Sequence, residues 1–228
     1  MFEFLFLDLD DTILDFQKAE HIALSKTLRS FGLEPTEGVL KRYNLINKAH
    51  WEALERKELT REQVKVGRFQ VLFREYGLQV DSQVCAQRYM ENLAQGHYFL
   101  PGAEAAVARL SEKYKLYLVS NGTTDVQMSR LDSAGIGRYF QEIFISQEMG
   151  ADKPDQVFFD RCFARIPGFD KQKAMIVGDS LTSDILGGRN AGITTCWVNS
   201  KQKPAREDIP ADYQIKALSE LEQLLETM

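Results

Sequence analysis

Cysteine is scarce in this chain of 228 residues, with only Cys85, Cys162 and Cys196. They are widely spaced and odd in number, and no two stand at metal-ligand or redox spacing. That excludes a disulfide scaffold and a thiolate metal centre, and it leaves buried reduced thiols as the expectation. Basic residues are not in excess: 28 lysines and arginines face 33 acids, for a net charge of −5. A nucleic-acid polymer would favour a basic patch, so no such partner is expected. No apolar run approaches the roughly 20 residues that cross a bilayer, which excludes a membrane partner of that kind. The apolar start is broken by Glu3 and Asp8. It lacks a basic lead and a small-residue cleavage site, so it is not read as a signal peptide. The expectation is a cytoplasmic protein. Internal repeats, low-complexity tracts and long linkers are also missing, and no feature sets the oligomeric state.

What the chain does have is rhythm. Phe2 to Leu9 is a dense apolar run ending in Asp10-Asp11-Thr12, the pattern of a strand buried on both faces. Similar runs occur at Leu116–Val119, Ile143–Ile145, Ala174–Val177 and Thr195–Val198. Helical segments separate them: one after Pro101-Gly102, one over about Thr123 to Ala134 with Gly135 as its stop, and one from Asp155 through Ile166. Another runs from near Ser183 to about Gly192, and a last one from Leu218 to Leu225. Alternating strand and helix imply an α/β fold, a Rossmann-like open parallel sheet with helices on both faces.

The stretch 15–97 breaks this rhythm with four helical patterns and no convincing strand. Ile22, Leu24, Leu28 and Phe31 mark the first, and Val39, Leu40, Tyr43 and Ile46 the second. Thr60-Arg61-Glu62-Gln63 has the form of a capping box opening the third. Asp81 caps a fourth that carries Val84, Cys85, Tyr89 and Leu93. The expected organisation is therefore a catalytic core of 1–14 plus 98–228, with an all-helical insert over 15–97. The insert is expected to act as a cap at the sheet's C-terminal edge, where open parallel sheets bind ligands.

Polar clusters fall at the ends of four successive strands. Asp8, Asp10 and Asp11 end the first, and Ser120, Asn121 and Gly122 the second. Lys153-Pro154 follows the third after a short loop, and Asp179, Ser180, Ser183 and Asp184 end the fourth. In a parallel sheet these ends converge on one rim. Carboxylates gathered there repel one another unless a cation offsets them. Lys153 is one positive group, and a hard divalent cation such as magnesium is the natural second. Oxygen donors without neighbouring His or Cys favour magnesium over zinc. With the Ser120 hydroxyl and Asn121 amide, the rim holds a nucleophilic carboxylate, a second carboxyl for proton transfer, a metal and donors for a phosphoryl group.

These residues resemble the haloacid dehalogenase superfamily of phosphohydrolases. Asp8-Leu9-Asp10-Asp11-Thr12 is similar to its first motif, Ser120-Asn121-Gly122 to its second and Lys153-Pro154 to its third. Gly178-Asp179-Ser180-Leu181-Thr182-Ser183-Asp184 is similar to its fourth. The resemblance implies that Asp8 attacks phosphorus, and that Asp10 protonates the leaving oxygen and then deprotonates water. It implies magnesium held by Asp8, Asp179 and the main-chain carbonyl of Asp10, with Asp184 behind them orienting water or Lys153. It further implies that Ser120 and Lys153 grip the phosphoryl group, helped by Asn121 and the Gly122 amide.

A narrower resemblance concerns the substrate. Asn47-Lys48 with Trp51, then Gly67-Arg68-Phe69, look like the cap of pyrimidine 5′-nucleotidases that act on noncanonical nucleoside monophosphates. Ile185-Leu186-Gly187-Gly188, Asn190-Ala191-Gly192 and Thr195-Cys196-Trp197 resemble the same group. A small phosphorylated substrate, a nucleotide, is what this implies. Trp51 offers a face for a base and Arg68 a charge for a phosphate or base carbonyl. The alternatives are that Trp51 packs between helices and Arg68 pairs with an acid of the insert. Phe16 either lines the pocket or packs in the core. His21, His50 and His97 read as surface or packing residues.

Competing activities remain open at this level. A metal-free dehalogenase would lack the second acid, so Asp10 and the Asp179/Asp184 pair argue against it. A broad sugar-phosphate phosphatase or a phosphomutase would share the core motifs. A phosphonate hydrolase would need an insert lysine, with Lys26, Lys41, Lys48, Lys57 and Lys65 eligible by position. A non-enzymatic phospho-acceptor module would carry its acceptor after a later strand, where this chain has Ser120-Asn121.

Overall fold

The computed structural model describes residues 1–227, the Glu55 side chain excepted. The chain divides into two compact units, 1–16 with 97–228, and 17–96.

The first unit is built on a six-stranded sheet, all parallel. Its strands are β1 (Phe4–Leu7), β2 (Lys115–Ser120), β3 (Phe140–Ile145), β4 (Ala174–Gly178), β5 (Thr194–Val198) and β6 (Tyr213–Ile215), in the spatial order β3-β2-β1-β4-β5-β6. β1 is central, with Leu7 opposite Leu118 on one side and Val177 on the other. The apolar run divides by parity, because successive side chains of a strand point to opposite faces. Leu5 and Leu7 join Leu116, Leu118, Met175 and Val177 in one buried cluster, and Phe4 and Phe6 join Tyr117, Val119 and Ile176 in the other.

Each face is covered by helices. Using α1 to α4 for the helices begun within 16–96, α5 (Ala103–Lys113), α6 (Thr124–Ala134) and α10 (Leu221–Glu226) contribute to the Leu5 cluster. α8 (Gln156–Ala164) and α9 (Leu186–Ala191) contribute to the Phe6 cluster, and α7 is the short helix Ser146–Met149. The sheet order turns at β1, whose neighbours β2 and β4 lead the chain in opposite directions. In open α/β sheets, ligands bind at that switch point, beyond the C-terminal ends of the strands.

Several sequence expectations need adjusting. β6 was not foreseen. A short helix, α7, stands between β3 and Lys153 where a short loop was expected. The helix placed near Ser183 begins earlier, as a wide turn over Leu181–Ile185 that continues into α9. All three cysteines are buried and free, as expected.

The second unit is helical throughout: α1 (Phe16–Ser30), α2 (Glu37–Glu55), α3 (Arg61–Glu75) and α4 (Ser82–Leu93). The Thr60 capping box forms in both directions, Gln63 N donating to Thr60 Oγ1 at 3.3 Å and Thr60 N to Gln63 Oε1 at 2.8 Å. Such a cap contributes about 1 kcal/mol. Asp81 caps α4 as read from sequence. Tyr43, Phe69 and Tyr89 meet in the interior, whereas Ile22 and Val84 face solvent. Among the described residues, no helix is long and apolar enough to cross a membrane.

Candidate active site

Asp8 directly follows β1, and its amide donates to Val177 O at 2.9 Å, continuing the strand pairing. The chain then turns sharply, with the amides of Ile13 and Leu14 both bonded to Leu9 O. Asp11 takes a positive φ of 58° within this turn, a conformation that aspartate tolerates better than most residues. Its Oδ1 accepts from Phe16 N at 3.1 Å.

The Asp8 carboxylate is held at both oxygens. Lys153 Nζ donates to Oδ1 at 2.8 Å, and Thr12 Oγ1 donates to Oδ2 at 3.2 Å. Lys153 is buried and uses all three of its protons: the other two go to Asp184 Oδ1 at 2.6 Å and Val119 O at 2.9 Å. Burial alone would lower the Lys153 pKa, but Asp184 and Asp8 outweigh it and the net shift is upward. Burial pushes Asp8 upward, against the pull of Lys153 and with the repulsion of Asp184, Asp10 and Asp179.

Asp184 reaches Lys153 because Gly178, at the end of β4, has no side chain. A Cβ there would lie 2.2 Å from Asp184 Oδ2. That oxygen instead accepts from Ser180 N at 3.0 Å. Asp179 is fixed through its backbone, whose carbonyl accepts from Trp197 Nε1 at 2.9 Å. Its carboxylate makes no hydrogen bond or ion pair among the described residues. Burial, then Asp184 and Asp11, raises it to about 7 against the opposing lysines 203 and 201. Asp8, Asp179 and Asp184 each bring one oxygen within 4.8 Å of the others. An all-oxygen set in which the Asp179 carboxylate has no ion pair among the described residues fits a hard divalent cation.

Ser120 closes the second strand end. Its Oγ accepts from Gly122 N at 3.2 Å and from Gln127 Nε2 at 2.8 Å. A hydroxyl that already accepts twice keeps its own proton to give, which suits an anionic oxygen. Asn121, expected to contact substrate, turns its amide to the main chain of Lys153. Nδ2 donates to Lys153 O and Oδ1 accepts from Lys153 N, both at 2.8 Å.

Residues 5–198 match the sequence profile of the haloacid dehalogenase-like hydrolases. The chain belongs to this family. YfnB of Bacillus subtilis is 39% identical over 221 residues, covering 97% of this chain and 94% of its own. Its crystal structure, bound to magnesium, superposes at a TM-score of 0.95 over 98% of both chains. Pyrimidine 5′-nucleotidase PynA of Streptococcus pneumoniae is 38% identical over 221 residues, 96% of this chain and 93% of PynA. Pyrimidine 5′-nucleotidase YjjG of Escherichia coli is 30% identical over 223 residues, 98% and 97% of the two chains. The family and fold expected from the sequence are thus both observed.

The hydrolase holds its second acid in a way the motifs did not announce. Asp10 Oδ1 accepts from Arg130 Nη1 at 2.5 Å, and Oδ2 accepts from Gln127 Nε2 at 2.7 Å. Both donors come from α6, both are buried, and neither was foreseen. The available signal was their i, i+3 spacing just after Ser120-Asn121-Gly122, which places both on one helix face.

In the helical unit of this hydrolase, Trp51 is half-buried on α2, with the Arg61 guanidinium 5.9 Å from its ring centroid. Arg68 is 3% exposed. Its guanidinium donates to Asn47 Oδ1 at 2.8 Å and lies against Tyr89, and Asn47 in turn donates to Glu20 Oε1 at 2.8 Å. Its charge is therefore met inside the unit, and the acid is reached through Asn47 rather than directly. Of the histidines, His50 bonds Ile46 O, while His21 and His97 are exposed. Phe16 lies beside Arg130, its ring centroid 5.8 Å from the guanidinium carbon.

Proposed function

We propose that this protein is a magnesium-dependent phosphomonoester hydrolase working through an aspartyl phosphate, with pyrimidine nucleoside 5′-monophosphates as substrates. The observation that carries the reading is the Asp8 carboxylate, fixed by Lys153 and Thr12, with an oxygen of Asp179 within 4.8 Å of one of its own. A carboxylate so oriented is a nucleophile with its attack direction set. Asp8 attacks phosphorus as the bond to the leaving oxygen breaks, and Asp10 gives that oxygen its proton. Water then attacks phosphorus, passing its proton to Asp10, so that phosphate leaves and Asp8 is restored. Ser120 donates to a phosphoryl oxygen, and Lys153 turns to the phosphoryl group the proton it otherwise gives Asp8 Oδ1, where negative charge is spread in the transition state.

Magnesium, held by Asp8, Asp179 and the Asp10 carbonyl, would supply charge neutralisation at the phosphoryl oxygens. Asp184 keeps Lys153 in place through the bond at 2.6 Å. The pyrimidine nucleotide preference follows the relatives PynA and YjjG, whose names state that activity.

The test is phosphate release from a panel of nucleoside monophosphates and sugar phosphates, with magnesium and with a chelator. Pyrimidine monophosphates are expected to lead, and the chelator to abolish release. Asp8→Asn should lose nearly all turnover while keeping its circular dichroism spectrum. Wild-type turnover by that variant would sink the mechanism, and equal rates across the panel would sink the substrate assignment.

A further inference from the structure

Gln127 and Arg130 form one connected arrangement with Asp10 and Ser120. Gln127 Nε2 donates both to Asp10 Oδ2 at 2.7 Å and to Ser120 Oγ at 2.8 Å. Gln127 Oε1 accepts from Arg130 Nη1 at 2.8 Å, and the same nitrogen reaches Asp10 Oδ1 at 2.5 Å. Arg130 is 0% exposed and Gln127 is 2% exposed. Gln127 fits only because residue 122 is glycine: a Cβ there would lie 2.3 Å from Gln127 Cγ.

The geometry points to Gln127 and Arg130 as positioning residues that orient the Asp10 carboxyl for proton transfer and keep it in register with Ser120. An aspartate side chain has two torsions, and one donor on each oxygen fixes both. A carboxylate offers about four acceptor directions. α6 uses one on each oxygen, and the Asp10 side chain stays 28% exposed. A buried arginine against one acid is a weak source of stability in itself, since desolvation offsets the attraction. Its placement here aims a side chain that the proposed reaction uses twice. A group fixed before substrate arrives need not be ordered in the transition state, which is where orientation gains its rate.

This inference rests on the reading of Asp10 as the acid that protonates the leaving oxygen. An alkoxide leaving group needs that proton, and a nitrophenolate departs without it. The experiment therefore compares kcat/KM for a pyrimidine nucleoside 5′-monophosphate and for p-nitrophenyl phosphate. The variants are Arg130→Met, Arg130→Lys, Gln127→Leu and Gly122→Ala, with Asp10→Asn as reference. Arg130→Met is expected to lower the value for the nucleotide about 100-fold, the low end of general-acid effects, and the aryl ester by less than tenfold. KM should change little, and Arg130→Lys should recover part of the loss.

Equal losses on both esters in the folded Arg130 and Gln127 variants, with Asp10→Asn still discriminating, would overturn the positioning role alone. No discrimination in Asp10→Asn would overturn the acid role of Asp10 and this inference with it. If Arg130→Met does not fold, Gln127→Leu and Gly122→Ala decide, because both displace the amide and leave Arg130 in place.

Discussion

The Lys153 ammonium lies 2.6 Å from the Asp184 carboxylate, and each side chain is 1% exposed. Removing one partner of such a pair leaves the other charge buried and unmatched, at a cost of roughly 3–5 kcal/mol. Lys153→Met should therefore lower the urea midpoint sharply as well as stop turnover. Combining it with Asp184→Asn should cost less stability than the two single losses added together, because Asp184 is then no longer an unmatched charge and only Asp8 is left without its lysine. Strict additivity in the double-mutant cycle would show that the pair is not coupled.

Gly178→Ala tests how the fourth strand end is shaped. The added methyl would lie 2.2 Å from Asp184 Oδ2 and 2.3 Å from its Cγ, so Asp184 must move away from Lys153. Overpacking of this kind costs about 1–3 kcal/mol. Turnover is expected to fall further than stability alone explains, with weakened magnesium binding seen by titration calorimetry. A variant with native affinity and rate would show that Asp184 tolerates the displacement.

Stability should depend on pH through Asp179, whose folded pKa of about 7 stands above its ordinary 3.8. A carboxyl raised on folding contributes stability that is complete below the lower value and lost as pH rises through the higher one. Without divalent cation, the contribution should therefore decline between these two values. Magnesium binds the deprotonated carboxylate, so its stabilising effect should grow across the same window. Thermal midpoints at about pH 5 and about pH 8, with magnesium and with chelator, check this. A magnesium-induced shift that is no larger at the higher pH would contradict it.

The site was legible in the sequence wherever a residue stood at a strand end. Asp8, Ser120 and Asp179 each end or follow an apolar run, and a parallel sheet gathers such positions without further information; Lys153 lies further along, past α7. Gln127 and Arg130 escaped because two polar residues on a helix ordinarily face water, and only the surrounding burial marks them as inward. β6 escaped for a different reason. Tyr213-Gln214-Ile215 is three residues long, with two of them exposed, and it is a strand only because β5 pairs with it. Asn121 was recognised as important, but its task is tied to where Lys153 lies in space, and spacing along the chain does not carry that.

The central position of β1 shapes how the molecule comes into being. Its apolar residues are synthesised well before their partners, Lys115–Leu118 and Ala174–Val177. The nascent chain therefore carries an uncovered sticky segment until those partners emerge, while 17–96 emerges with a core of its own to bury. Asp8 meets Lys153 and Asp184 only after β4 has docked. Premature termination upstream of β4 would thus leave an aggregation-prone fragment with no capacity for chemistry, a natural substrate for cellular quality control.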